Sequence, residues 1–375
     1  MSDKKKRLLK VPEQADVVAI IAMSPENFAY VSGAFILTVE AIRPRQAFAV
    51  IPRQGQPFAV FCSIETPTMR DESWIKDLVE YTEFVDQPVE KLAEALTARS
   101  LDKGKIGIDL SYLPQASFAR LQTKLPGVEF IDTTDTIAAI RTIKDLDEVA
   151  QLESAAKGTH LAVLDAMAAS MPGDTEKQMA DRISKGIIEN GANTTLFLCF
   201  GSGARTRLAH GAASDRVPQE GDIIRFDVGG RYGPYYSDFA RTFSAGNPSI
   251  AQRDNYRKLV EIQKETIGAA GPGVTAEYLF DVCKEAFKKR QLPFHMPHIG
   301  HSFGVELHEN PMLRPGDKTE LKPGMVINIE PIFIDPDNSL YHVEDLFVVT
   351  EDGYRLLTLG FPQDELPVIG TRVPS

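Results

Sequence analysis

Two carboxylates stand inside runs of apolar residues, where an ionised side chain has no ordinary place. Glu330 interrupts Val326-Ile327-Asn328-Ile329-Glu330-Pro331-Ile332-Phe333, and Glu344 interrupts Tyr341-His342-Val343-Glu344-Asp345-Leu346-Phe347-Val348-Val349. Such runs read as buried strands, and Asp335-Pro336-Asp337-Asn338 between them reads as the turn of a hairpin. Buried acids are rare unless paired or bound to a cation, so the fold must bring positive charge to this hairpin. The separation of fourteen residues does not set the two acids directly opposite without a bulge or an offset, which leaves their pairing open.

A second acidic pair precedes it. Asp227 closes the apolar run Ile223-Ile224-Arg225-Phe226-Asp227-Val228-Gly229, and Asp238 opens the next after a turn rich in Gly229, Gly230, Gly233 and Pro234. Residues that face each other across an antiparallel ladder point to one side with Cβ atoms about 4.5–5.5 Å apart, so these carboxylates would repel without a cation between them. Either aspartate alone reads as a turn residue. Four acids together read as a site. With one neutral imidazole they sum to a charge of about −4, which two divalent cations would balance while activating water as a nucleophile. Six of the seven histidines lie after residue 200, four of them between His295 and His308. His301, between Gly300 and Gly304, is the nitrogen candidate because glycine permits close approach of backbone to a site. His308, beside Glu309, is compatible with the same site.

A chain of 375 residues exceeds what one core usually fills, so two domains are expected, 1–144 and 145–375. In the first, Val17–Met23, Ala47–Ile51, Phe58–Cys62, Ile106–Leu110 and Val128–Ile131 read as strands, and Trp74–Tyr81 and Val89–Ser100 as helices, an α/β layer. In the second, an apolar face from Leu146 to Leu164 predicts a long helix ending at Pro172-Gly173, and a further helix opens at Asp174 or Thr175. Beyond them, strands Ile223–Gly229, Phe239–Phe243, Met325–Phe333 and His342–Thr350 are separated by helical Asn255–Ala269 and Thr275–Arg290.

The formal net charge of −11, with no basic cluster beyond Lys4 to Arg7, argues against a nucleic-acid surface. That basic start reads as a frayed tail. The N-terminal apolar stretches are too short for a membrane span, and no signal-peptide pattern precedes the folded sequence. Cys62, Cys199 and Cys283 form no framework, which points to a reducing compartment and the cytoplasm. No glycine-rich phosphate fingerprint follows any strand, so a dinucleotide site has no support.

The segments AHGAASD around His210, DVGGRYGPYYSDFARTF from Asp227, GHSFGVELHENP from Gly300, NIEP at Asn328 and HVEDLFVVT from His342 resemble the pita-bread metallopeptidases. That family includes prolidases, Xaa-Pro aminopeptidases, creatinases and methionine aminopeptidases. The N-terminal half, with PENFAYVSGAF from Pro25, resembles the prolidase and creatinase branch. The resemblance implies an α/β creatinase-like N-terminal domain followed by an α+β pita-bread catalytic domain. It implies that Asp227, Asp238, His301, Glu330 and Glu344 hold two divalent metal ions, with Asp238 and Glu344 bridging, manganese or cobalt foremost and iron or zinc compatible. It implies that His210 and His308 contact substrate, with His308 donating to the developing oxyanion and Glu330 shuttling the proton.

The implied reaction is hydrolysis of a peptide or amide C–N bond, with a Xaa-Pro dipeptide or short peptide as the leading substrate and a homodimer as the assembly. Two positions depart from the family pattern. His342 stands on the substrate side where Arg is usual, and imidazole does not reproduce a bidentate fork for a carboxylate. Ala240 stands where Thr is usual, which removes a hydroxyl beside the ligands. These departures leave a metal-dependent non-proline amidase, or a lyase acting on a small zwitterion, as the alternative. A non-catalytic binding module is a further alternative, and the complete set of ligand residues counts against it.

Overall fold

The apolar runs of the N-terminal part form one sheet of six strands, β1 (Ala19–Ala22), β2 (Phe48–Pro52), β3 (Phe58–Cys62), β4 (Asp77–Tyr81), β5 (Gly104–Ile108) and β6 (Val128–Asp132), in the order β4-β3-β2-β1-β5-β6. β1 runs parallel to β5 and antiparallel to β2, which gives a mixed sheet. Its central strands read as unbroken apolar runs because both faces are covered. Helix Pro88–Thr97 contributes Val89, Leu92 and Leu96 to the core beneath. The computed structural model describes residues 3–42, 44–358 and 365–372, and its chain divides into two units, Met1–Arg141 and Thr142–Ser375.

Two expectations for this unit are corrected. Trp74–Tyr81 does not form a helix. Asp77–Tyr81 is an edge strand parallel to β3, and Tyr81 is buried with its hydroxyl donating to the Gln46 carbonyl at 2.9 Å. Pairing with β3 outweighs the local helical signal, as tertiary context often does for a short segment. Nor is the basic start a frayed tail. It belongs to helix Asp3–Gln14, which buries Leu8 and Val11 and lays the Lys4 ammonium 4.0 Å from the Tyr30 ring centre.

The second unit opens with helix Leu146–Ala168, capped by a reciprocal pair in which Asp145 accepts from the Glu148 amide and Glu148 accepts from the Asp145 amide. Helix Glu176–Glu189 follows with Thr175 as its cap. They share a core, through Met167, Met179 and Ile183, with a sheet of order β10-β8-β7. Its strands are β7 (Thr194–Ser202), absent from the strands expected from the sequence although Leu196-Phe197-Leu198-Cys199-Phe200 is an apolar run, β8 (Ile223–Tyr232), β9 (Tyr235–Tyr236), which extends β8, and β10 (Phe239–Ser244).

Helices Ile250–Gly268 and Ala276–Lys289 pack through Leu259, Leu279 and Phe287 on a second sheet of order β12-β11-β13-β16-β17. Its strands are β11 (His301–Ser302), β12 (Glu309–Met312), β13 (Val326–Ile329), β16 (Asp345–Val349) and β17 (Tyr354–Leu356), with the pair β14 (Ile332–Ile334) and β15 (Leu340–His342) between β13 and β16 in the chain. The unit is α+β. Among the described residues no helix is long and apolar enough to cross a membrane.

The pairing of Glu330 with Glu344, left open by the sequence, is settled by the register. Ile329 opposes Asp345 in β13–β16, and Ile332 opposes His342 in β14–β15. Both belong to one register, and carried through the break it sets Glu330 against Glu344 with no offset. The five tip residues between Ile334 and its partner Leu340 make this work, because an odd-numbered tip suits an even separation. Asp227, by contrast, does not face Asp238. It faces Ala240, two residues farther along, so the aspartates share one face of the ladder as diagonal neighbours.

Candidate metal centre

Strands of both sheets deliver their acids to one place. Oxygens of Asp227, Asp238 and Glu344 lie within 4.8 Å of one another, and an oxygen of Glu344 lies within the same distance of Glu330 and His342. Glu344 thus belongs to both groups. His301 completes the cluster, its Nε2 lying 3.5 Å from Glu330 Oε1 and 3.9 Å from Asp238 Oδ2. Asp238, His301 and Glu344 are buried, while Asp227 and Glu330 border a cavity of about 550 Å³ that His210, His298, His308 and His342 also line.

Without cations these acids do not tolerate full ionisation. Burial raises the Asp238 carboxyl well above its usual range, and the charges of Glu344, Asp227 and Glu330 add to the effect. Burial and then Glu330 and Asp227 do the same to Glu344. Glu330 is pushed up to about 8 by burial and the Asp227 charge. Asp227 is raised by burial, against the pull of the neighbouring Arg225 guanidinium. One oxygen of Glu344, Oε2, is buried with no hydrogen-bond partner among the described residues. An orphaned carboxylate oxygen amid mutually repelling acids, with one imidazole, fits the oxygen-rich donor set of hard to borderline divalent cations.

The surroundings hold the cluster in shape. Asn328 Oδ1 accepts from the His301 amide at 2.7 Å while its Nδ2 donates to Glu344 Oε1 at 2.6 Å. Arg241, fully buried, donates to the Glu344 carbonyl and ion-pairs with Asp345 at 2.6 Å. Burial lowers the His301 imidazole to about 3, the His308 charge adding to it, which keeps a lone pair free on the ring. The His308 ring stands 4.1 Å from that of His301 and is itself exposed at the cavity edge. His210 is exposed in the segment after β7, which Glu176 anchors.

The structure thus gathers Asp227, Asp238, His301, Glu330 and Glu344, and arrays His210, His308 and His342 around one cavity. Three participants were not singled out from the sequence. Arg225 donates to Asp227 Oδ2 at 2.9 Å and contacts His342 Nδ1 at 2.8 Å. His298 points Nδ1 at Glu330 Oε1, 3.6 Å away, and Asn328 ties His301 to Glu344. Arg225 and Asn328 carried the same signal as the acids, a polar side chain embedded in an apolar strand. His298 sits in the histidine-dense stretch.

Residues 150–351 match the model of metallopeptidase family M24, and residues 4–143 match that of the creatinase/prolidase N-terminal domain. The chain is 30% identical over 362 residues to a Xaa-Pro dipeptidase of Pyrococcus furiosus, covering 96% of this chain and 98% of the relative. A prolidase structure from Pyrococcus furiosus superposes with a TM-score of 0.80 at 29% identity, covering 94% of this chain and 99% of that one. The dipeptidase PepE structure from Mycobacterium ulcerans gives a TM-score of 0.82 at 29% identity, with 98% and 97% covered. With its acid cluster set between two sheets and both of its units matched, the chain belongs to metallopeptidase family M24.

Proposed function

We propose that this metallopeptidase hydrolyses short Xaa-Pro peptides, Xaa-Pro dipeptides foremost, with two divalent cations held by Asp227, Asp238, His301, Glu330 and Glu344. The observation that carries the reading is that Glu344 belongs to both groups of clustered donor atoms, which suits a carboxylate shared by two ions. Manganese or cobalt heads the order of preference, with iron or zinc behind. The names of the Pyrococcus furiosus relatives support the proline-directed substrate.

Bound divalent cations supply Lewis acidity, lowering the pKa of water toward neutrality and polarising a carbonyl oxygen. The protein's own groups do the rest. Glu330 sits between His301 on one side and His342 on the other, so its carboxylate accepts a proton from the attacking water and returns it to the leaving nitrogen. His308, at the edge of the cavity, donates a hydrogen bond to the oxygen that gains charge. His210 contacts substrate from the cavity lining, to which Leu307 and Ile332 add apolar surface.

The protein is further proposed to act as a cytoplasmic homodimer. Leu37, Ile64, Phe84 and Val85 are 60%, 64%, 91% and 76% exposed. Their neighbours converge on one hub, because Arg45 ion-pairs with Glu83 at 2.6 Å and Glu65 at 3.7 Å, and Glu65 accepts from Thr38 at 2.5 Å. This apolar surface suits a second copy.

The test is to reconstitute the protein separately with manganese, cobalt, iron and zinc and to assay each form on Xaa-Pro dipeptides, longer Xaa-Pro peptides and non-proline amides. Turnover of the proline substrates is expected. Turnover confined to non-proline amides would overturn the substrate assignment.

A further inference from the structure

We propose that Arg225 is a positioning residue that keeps His342 out of the metal's ligand set by committing its imidazole to the tautomer with the proton on Nε2. The inference rests on the reading that the acid cluster holds divalent cations. By distance alone, Glu330, His342 and Glu344 form a group able to hold an ion. The direction of the hydrogen bonds around His342 says otherwise.

Arg225 Nη2 lies 2.8 Å from His342 Nδ1. A guanidinium has only donors, so Nδ1 must be the acceptor, and a neutral ring then carries its one proton on Nε2. Metal ligation through Nε2 would need the opposite tautomer and would set an N–H on Nδ1 against an N–H of Arg225. Neither partner is free to turn away. Arg225 is buried, donates to the Ala209 carbonyl, and is paired with Asp227 at 2.9 Å. The His342 backbone is clamped by Thr242, whose Oγ1 accepts from the His342 amide and donates to its carbonyl, each at 2.8 Å.

His301 is held the other way. Its Nδ1 lies 3.1 Å from the Ser302 carbonyl, which can only accept, so Nδ1 carries the proton and Nε2 keeps its lone pair. The Asn328 amide nitrogen, 3.3 Å from Nε2, agrees with that tautomer. Two imidazoles of one cluster are thus committed to opposite roles, His301 a ligand and His342 a donor. His342 Nε2 is buried, has no hydrogen-bond partner among the described residues, and stands 3.5 Å from Glu330 Oε2, so the carboxylate that moves the proton is the acidic group beside this N–H. Excluding a second nitrogen also keeps the donor set oxygen-rich, which disfavours the metals that prefer imidazole.

The test uses the full chain labelled with nitrogen-15 at its histidine rings, with His342→Asn to assign the signals. In long-range proton–nitrogen spectra of the metal-free protein, His342 Nδ1 is expected to show the shift of an unprotonated nitrogen and Nε2 that of a protonated one. On titration with cadmium-113, His301 Nε2 is expected to acquire cadmium coupling and His342 none. In Arg225→Met the His342 ring is released, and Nε2 is expected to gain that coupling. A protonated Nδ1 on His342, or cadmium coupling to its Nε2 in the unmodified protein, would overturn the proposal whether or not the variant folds. Failure of the protein to take up cadmium would instead overturn the metal centre itself, a result distinct from the tautomer read in the metal-free state.

Discussion

Lys144 Nζ lies 3.0 Å from Glu309 Oε2 with both side chains almost wholly buried, and it also donates to Ser302 Oγ at 3.0 Å. The pair ties the segment entering helix Leu146–Ala168 to β11 and β12, which carry His301 and flank His308. Glu309 Oε1 meanwhile accepts from the Val305 and Glu306 amides, fixing the loop between those strands. Removing one partner leaves the other charge buried and uncompensated. Lys144→Met is therefore expected to cost the second unit about 3–5 kcal/mol, read from its calorimetric transition, and to weaken metal binding through displacement of His301. A loss under about 1 kcal/mol would mean that water enters to solvate Glu309.

Metal uptake should release protons. Glu330 is pushed up to about 8 in the metal-free cluster, with Asp238 and Glu344 raised well above their usual range, so at pH 7 the cluster retains protons that cations displace. Calorimetric titration with manganese in two buffers of different ionisation enthalpy should report at least about one proton released per protein. Apparent affinity should rise with pH up to about 8. The raised values also mean that the metal-free fold binds more protons than the unfolded chain, so without metal its stability falls as pH rises through about 8. Buffer-independent heats would show the acids already ionised.

Which parts of this were legible in the sequence follows from where each signal resides. An acid inside an apolar run is visible in one strand alone, and Asp227, Glu330 and Glu344 were found that way. Register is a property of two strands. The opposition of Glu330 to Glu344 depended on an odd-numbered tip, and the diagonal placement of Asp227 and Asp238 on where β10 begins. β7 does carry a strand signal, the apolar run Leu196-Phe197-Leu198-Cys199-Phe200, so it was legible by the same rule as the other strands, although much of its length is only half-buried. β4 read as helix because an edge strand is made by its neighbour. The role of Arg225 lies in the direction of a hydrogen bond across 117 residues of chain, which no local pattern carries.

Glu176 anchors the wall that carries His210. Its wholly buried carboxylate accepts from the amides and hydroxyls of both Ser202 and Ser214 and from Arg205 Nε. Although burial pushes the group upward, these hydrogen bonds hold it below the ordinary glutamate range. Glu176→Ala leaves several buried donors unsatisfied, at about 1–3 kcal/mol each before relaxation. Because the segment holds His210 rather than the acid cluster, KM is expected to rise several-fold with metal content unchanged. Metal analysis beside steady-state kinetics would separate this from general unfolding.

Phe84, 91% exposed, is the test of the proposed homodimer. A carboxylate placed at the centre of an apolar contact is strongly unfavourable. Phe84→Glu should therefore shift the mass measured by light scattering from that of two chains to that of one, with the melting of the first unit little changed. A dimer that persists in this variant places its interface elsewhere.

His160 makes the fold sensitive to acid. Its ring is fully buried in helix Leu146–Ala168, 4.5 Å from the Phe239 ring centre, and burial, reinforced by the Arg241 charge, lowers it to about 2. In the unfolded chain the same ring titrates near the ordinary value of 6.5. Between those values the unfolded state binds a proton that the folded state refuses, so stability falls as pH drops below 6.5, by about 1.4 kcal/mol per pH unit from this group alone. Above that value both states are neutral and the contribution is flat. His160→Leu keeps an apolar ring-sized side chain beside Phe239 and removes the titration. It is expected to lose some packing at pH 7.5 and to close the gap, or overtake the unmodified protein, by pH 5. Parallel slopes of unfolding free energy against pH for the two proteins would show that His160 becomes charged in the folded state.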